Sequence, residues 1–162
     1  MPITTTYLEM FSDTGRVVSP PFDGIEVRHV VRPSVEFYRE IYDSVGSRWN
    51  WTSRKRLSDA ALAEILGDPR VEIHQLLVND VRAGFAELDG RVPGEIELKQ
   101  FGLVPEFIGR GLGRFFLNWV IDRAFSHAPR RFWLHTCTED HPGALPNYLK
   151  AGFEVYKTET HD

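Results

Sequence analysis

Three strand-like segments in quick succession constrain this chain more than anything else in it. Residues 71–78, 81–88 and 95–104 are rich in apolar and β-branched side chains, and Asn79-Asp80 and Asp89-Gly90 fall between them. Turns of that composition suit hairpins, so the three are expected to form an antiparallel meander. A sheet begun this way needs cover, and helical patterns flank it. In residues 34–45, Val35, Tyr38, Ile41, Tyr42 and Val45 recur at three- and four-residue steps, one face of a helix. Ser58 is placed to cap a second helix over residues 59–66, stopped by Gly67-Asp68-Pro69. A long amphipathic helix is expected over about 111–126 and a short one over 143–151. Strands are expected at 4–10, 25–31, 131–138 and 153–158. The order β-β-α-α-β-β-β-α-β-α-β describes one mixed α/β domain spanning residues 1–162, with a mostly antiparallel sheet of six to seven strands and about four helices.

Composition excludes several roles. A net charge of −4 lacks the basic excess that nucleic-acid binding requires, so no nucleic-acid partner is expected. No apolar run approaches the ~20 residues of a membrane span, and the start carries no basic-then-apolar leader. Cys137 stands alone, which fits a reducing, cytoplasmic setting. The six histidines show no metal-ligand spacing, and no metal is expected. Oligomeric state stays open, a homodimer included.

The main chemical signal is Ile108-Gly109-Arg110-Gly111-Leu112-Gly113, between a strand and the long helix. Glycines here oppose helix formation by about 1 kcal/mol each relative to alanine. Their use is to turn backbone N–H groups outward at a helix N-terminus, where unpaired amides and the helix dipole bind phosphate oxygens. Arg110 and Arg114 add charge. A Walker loop would need Lys-Ser/Thr where Arg114-Phe115 stands. A dinucleotide fingerprint needs its third glycine one residue later and more chain after it. A tight turn packed on itself is the plain alternative.

With its flanks, the turn resembles the Gln/Arg-x-x-Gly-x-Gly/Ala loop of the GNAT N-acetyltransferase superfamily. A second segment, His141-Pro142-Gly143-Ala144-Leu145-Pro146-Asn147-Tyr148-Leu149-Lys150-Ala151-Gly152-Phe153, is similar to that family's Asn-Pro-x-Ala-x-x-x-Tyr-x-Lys-x-Gly-Phe. The resemblance covers roughly residues 25–160 and leaves the first strand as an addition or a variation. It implies an acetyl-CoA-dependent acetyltransferase acting on a small-molecule or peptide amine, with a sheet whose fourth and fifth family strands (residues 95–104 and 131–138) splay apart. It further implies that Phe101, Gly102 and Leu103 run beside the pantetheine arm, and that residues 108–114, with Asn147, meet the cofactor. Ile108 departs from Gln/Arg, leaving its backbone N–H to serve, and His141 departs from Asn.

Acetyl transfer needs a neutral amine, a stabilised oxyanion and an acid for the leaving thiolate. Deprotonating a lysine-like amine at pH 7 costs roughly 4–5 kcal/mol, so a base or a water chain is required. Glu97 is the first candidate base; simple alternation sets it on one side of its strand with Glu95, Lys99 and Phe101. His135 is the reserve. Tyr148 matches the family's general acid, and the N–H of Phe101 or Leu103 would meet the oxyanion. Each has a plainer reading: a solvated carboxylate, a packed histidine, a core tyrosine. Gly102 serves either a bulge or close ligand approach, while Trp49 and Trp51 either line the acceptor site or pack. Two rival functions stay open, a non-catalytic acyl-CoA-binding module and a nicotinamide-nucleotide enzyme.

Overall fold

The computed structural model describes residues 2–49, 51–52 and 54–162. Its elements in chain order are β1 (Ile3–Met10), β2 (Ile25–Val30), α1 (Val35–Gly46), α2 (Asp59–Leu66), β3 (Val71–Val78), β4 (Val81–Asp89), β5 (Glu95–Leu103), α3 (Leu112–Phe125), β6 (Arg131–Cys137), α4 (Ala144–Ala151) and β7 (Glu154–His161). Short 3₁₀ turns occupy Ser47–Trp49 and Pro105–Phe107. Local chemistry accounts for the boundaries. Ser34 Oγ accepts from Phe37 N at 3.0 Å and Ser58 Oγ from Ala61 N at 3.1 Å, so both first helices start on side-chain caps. Asn79 and Asp80 both adopt positive φ, 48° and 65°, the conformation that turns β3 tightly into β4.

The seven strands form one sheet in the order β2-β3-β4-β5-β6-β1-β7. Every pairing is antiparallel except β5 with β6. Two apolar clusters cover its faces. One joins the sheet to α3 and α4 through Phe116, Leu117, Val120, Phe132 and Phe153; the other joins it to α1 and α2 through Tyr38, Ile41, Leu62 and Phe85. In the second, the fully buried Glu87 accepts from Tyr38 Oη and from Arg54, tying α1 and the segment after it to β4.

The N-terminal strand does not sit at the margin of the sheet. β1 lies between β6 and β7, with Thr5 opposite Cys137 on one side and Glu159 on the other. Sequence periodicity reveals a strand but not its partners, so this placement was invisible before folding.

Two irregularities position the site. β6 pairs with β5 only over Glu95–Glu97, so among the described residues the two strands part beyond Glu97 and Trp133. In β5 the register passes from Glu87↔Gln100 to Leu88↔Leu98, making Lys99 an extra, bulged residue. Ile96, Leu98, Phe101 and Leu103 therefore all belong to the α3-side cluster. This corrects the alternation argument, because the bulge inverts the pleat and sets Glu97 on the opposite face from Phe101.

Candidate active site

Where β5 and β6 part, a cavity of about 680 Å³ passes through the sheet. At one end lies the glycine turn. Gly109 and Gly111 have φ of +87° and +83°, a conformation L side chains rarely adopt. Gly111 begins α3 with no side-chain cap. Among the described residues, no backbone carbonyl outside a helix or strand accepts from the amides of residues 109–114. These N–H groups and the α3 dipole converge on the cavity end, the arrangement that receives phosphate oxygens. Asn147 Nδ2 donates to Gly113 O at 3.1 Å, locking α4 against this turn.

The structure sorts the residues of the turn. Ile108, Gly109, Gly111, Gly113, Arg114 and Asn147 line the cavity. Arg110 does not; its guanidinium stacks on Phe107 at 5.2 Å. Leu112 is fully buried, so only its backbone is available. The Ile108 amide, expected to be free, donates to Pro105 O at 3.2 Å and closes the 3₁₀ turn. Of the two arginines, then, Arg114 is placed to supply the missing polar contact.

In the middle of the cavity stand Phe101, Gly102, Leu103 and Tyr148. Past Glu97 the β5 edge has no strand partner on the β6 side, which leaves main-chain groups for an added chain. A Cβ at 102 would sit 2.5 Å from Val45 Cγ1, so glycine there lets α1 close onto the strand beside the cavity. Tyr148 packs against Phe101 and Phe153 at 6.1 and 6.0 Å. Its hydroxyl has no hydrogen-bond partner among the described residues, and burial, followed by the charge of Asp140, pushes its pKa well above the usual 10.

Toward the opposite mouth, His135 lines the cavity from β6 and Glu97 stands 3.9 Å behind its Nε2. Glu97 also faces Lys99 Nζ at 3.7 Å. Burial raises the Glu97 carboxyl above its usual range, and burial, then Lys99, lowers the His135 imidazole below 6.5. Glu97 itself is not on the cavity wall. β1 and β7 complete this end with Ile3, Thr5, Tyr7, Glu159 and His161.

Two loops close over the middle. Trp51 Nε1 donates to Asp140 Oδ1 at 3.3 Å, and Trp49 meets the His141 ring edge-on at 5.2 Å. Asp140 also accepts from the Cys137 amide at 3.0 Å and from the Thr136 hydroxyl. The tryptophans thus pack and line the cavity at once. His141, in the place of an asparagine, accepts from Gly143 N at 2.8 Å through Nδ1 and shapes the entry to α4. Sequence reasoning passed over Asp140; its only signal was an acidic pair, Glu139-Asp140, directly before the second motif.

Residues 33–153 match the Acetyltransferase (GNAT) family. The chain belongs to that family. GNAT relatives also account for the fold: a GCN5-related N-acetyltransferase from Sphaerobacter thermophilus superposes with a TM-score of 0.73 at 16% identity, covering 96% of this chain and 49% of the other. The ribosomal-protein-S18-alanine N-acetyltransferase of Escherichia coli superposes with a TM-score of 0.64 at 20% identity, covering 82% and 79%. In sequence, the mycothiol acetyltransferase of Streptosporangium roseum is 37% identical over 87 residues, 54% of this chain and 24% of the relative. The chain therefore spans about a quarter of that curated relative and about half of the Sphaerobacter structure. GNAT acetyltransferases use acetyl-CoA, and the free amides of the turn, Arg114 and the open β5 edge fit a pyrophosphate followed by an extended arm. No helix among the described residues is long and apolar enough to cross a membrane.

Proposed function

We propose that this GNAT protein transfers the acetyl group of acetyl-CoA directly to a primary amine. The observation that carries this reading is the continuous cavity between the parted strands, with phosphate-type amides at one end and a proton acceptor at the other. The pyrophosphate lies on the amides of 109–114 with Arg114 beside it. The pantetheine arm follows Phe101, Gly102 and Leu103 along β5. Tyr148 stands where the thioester sulfur arrives.

The amine enters from the β1–β7 mouth. His135, its pKa lowered below the ordinary 6.5, takes its proton, and Glu97 behind the ring stabilises the imidazolium that forms. As the C–N bond forms, charge moves to the carbonyl oxygen, which the Phe101 or Leu103 amide meets. As the C–S bond breaks, Tyr148 gives its phenolic proton to the sulfur. A hydroxyl without a protein acceptor is free to donate there. The acceptor is a small-molecule or peptide amine reached in an aqueous compartment.

Release of CoA thiol from acetyl-CoA across a panel of small amines and peptide N-termini tests the proposal. At least one acceptor should raise thiol release far above the amine-free rate. CoA-induced thermal stabilisation without thiol release for any acceptor would establish the non-catalytic binding module instead, a reading that the absence of Gln/Arg at Ile108 favours. Stabilisation by NAD and not by CoA would refute both.

A further inference from the structure

Away from the transfer cavity, β2 and β3 set His29 and His74 directly opposite each other, with ring centroids 4.6 Å apart. Glu72 precedes His74 by two residues and shares its face of β3. Ligand-type atoms of His29, Glu72 and His74 lie within 4.8 Å of one another, the one such trio among the described residues. Spacing along the chain could not show it, because His29 arrives from a different strand.

The protonation pattern follows from the contacts around Glu72. Its Oε1 is 2.9 Å from Arg123 Nε and 2.8 Å from His74 Nε2; its Oε2 is 3.0 Å from Arg123 Nη2 and 2.8 Å from His127 Nε2. With the arginine-paired carboxylate 2.8 Å from Nε2, the tautomer that fits donates from Nε2 and leaves the lone pair on Nδ1. That atom is buried, on a side chain only 1% exposed, and has no hydrogen-bond partner among the described residues. An orphaned buried acceptor is unfavourable and calls for a physical reason. The ring's aromatic neighbours are His29 and Trp119, the latter edge-on at 4.9 Å.

We propose that His29 and His74 bind a divalent cation of the Zn²⁺, Ni²⁺ or Cu²⁺ class through imidazole nitrogens, with Glu72 orienting the His74 ring from behind. Imidazole pairs select these ions over Mg²⁺ and Ca²⁺. A ligating histidine that donates its other N–H to a carboxylate is the usual supporting arrangement. Arg123 neutralises Glu72 and fixes it in place, so the carboxylate serves as anchor and the two imidazoles as ligands. His29 is the more exposed partner and opens the site to solvent. The ion bridges the edge strand β2 to β3 beside the C-terminal turns of α3, about 20 Å of helix from the glycine turn. The site is independent of acetyl transfer.

Zn²⁺ titrated by calorimetry into the chain freed of any polyhistidine tag tests this. One equivalent should bind, and His29→Gln should weaken it at least tenfold while the circular dichroism spectrum is unchanged. Imidazole ¹H–¹⁵N spectra should place the metal-free His74 proton on Nε2 and shift its Nδ1 signal when Zn²⁺ is added. Equal affinity in wild type and His29→Gln, absence of binding, or an unmoved His74 signal would each overturn the proposal.

Discussion

Replacing Tyr148 by phenylalanine separates catalysis from packing with one atom. The ring lies between Phe101 and Phe153 and is 6% exposed, and phenylalanine keeps all of those contacts. The hydroxyl has no partner among the described residues, so removing it strands no protein donor or acceptor. Stability should stay within about 1 kcal/mol, a Tm change of roughly 2–4 °C in either direction. A general acid contributes on the order of 10²–10⁴ to rate, about 2.7–5.4 kcal/mol of barrier. The expected result is therefore a kcat lowered at least 100-fold, with CoA-induced thermal stabilisation preserved. Thiol release with a saturating acceptor gives kcat, and a melting curve with and without CoA gives the rest. Since burial and then Asp140 hold the phenol protonated beyond pH 10, the wild-type rate should show no alkaline loss from this group below that pH. A folded Tyr148→Phe protein working within threefold of wild type would show that the tyrosine is only core and remove the proton donor from the mechanism.

Three further outcomes follow from the geometry. The His135 pKa is lowered, so the neutral base persists below pH 6.5; kcat/KM should fall only as pH drops through the depressed value, and His135→Ala should lose about 100-fold and abolish that acid limb in a pH profile. In Gly109→Ala the new Cβ meets no protein atom within 4 Å, so the fold should lose only the left-handed backbone penalty of about 1–2 kcal/mol; CoA affinity measured by calorimetry should fall at least tenfold, and unchanged affinity would exclude the turn as the phosphate site. Glu87→Gln breaks the buried contacts to Arg54 and Tyr38 and should cost about 3–5 kcal/mol in denaturant unfolding; a loss below 1 kcal/mol would show that this cluster is not held as an ion pair.

Most element boundaries were legible because they are written locally: Ser34 and Ser58 as caps, Asn79-Asp80 as a hairpin turn, glycines before α3 and after α4. The glycine turn could likewise be read, since positive φ at 109 and 111 demands the residue type found there. What escaped depends on pairing between distant segments. No local pattern marks Lys99 as a bulge, and that single extra residue moves Glu97 to the face opposite Phe101. Asp140 joins the cavity roof through Trp51, which arrives from 89 positions away. At Gly102 the close neighbour that local sequence does not show is Val45, arriving from α1.

Because β1 is threaded between β6 and β7, the cavity end beside His135 is assembled from segments far apart in the chain. Thr4 and Thr160 touch across 156 positions of chain at 3.1 Å. Closing so large a loop is slow relative to forming α3 or the β3–β4 hairpin, so the half of the cavity near the glycines can organise well before this end. β1 is thus the keystone of that end of the cavity. Shortening residues 3–10 would leave both neighbouring strands with an open edge and strip the cavity of Ile3, Thr5 and Tyr7.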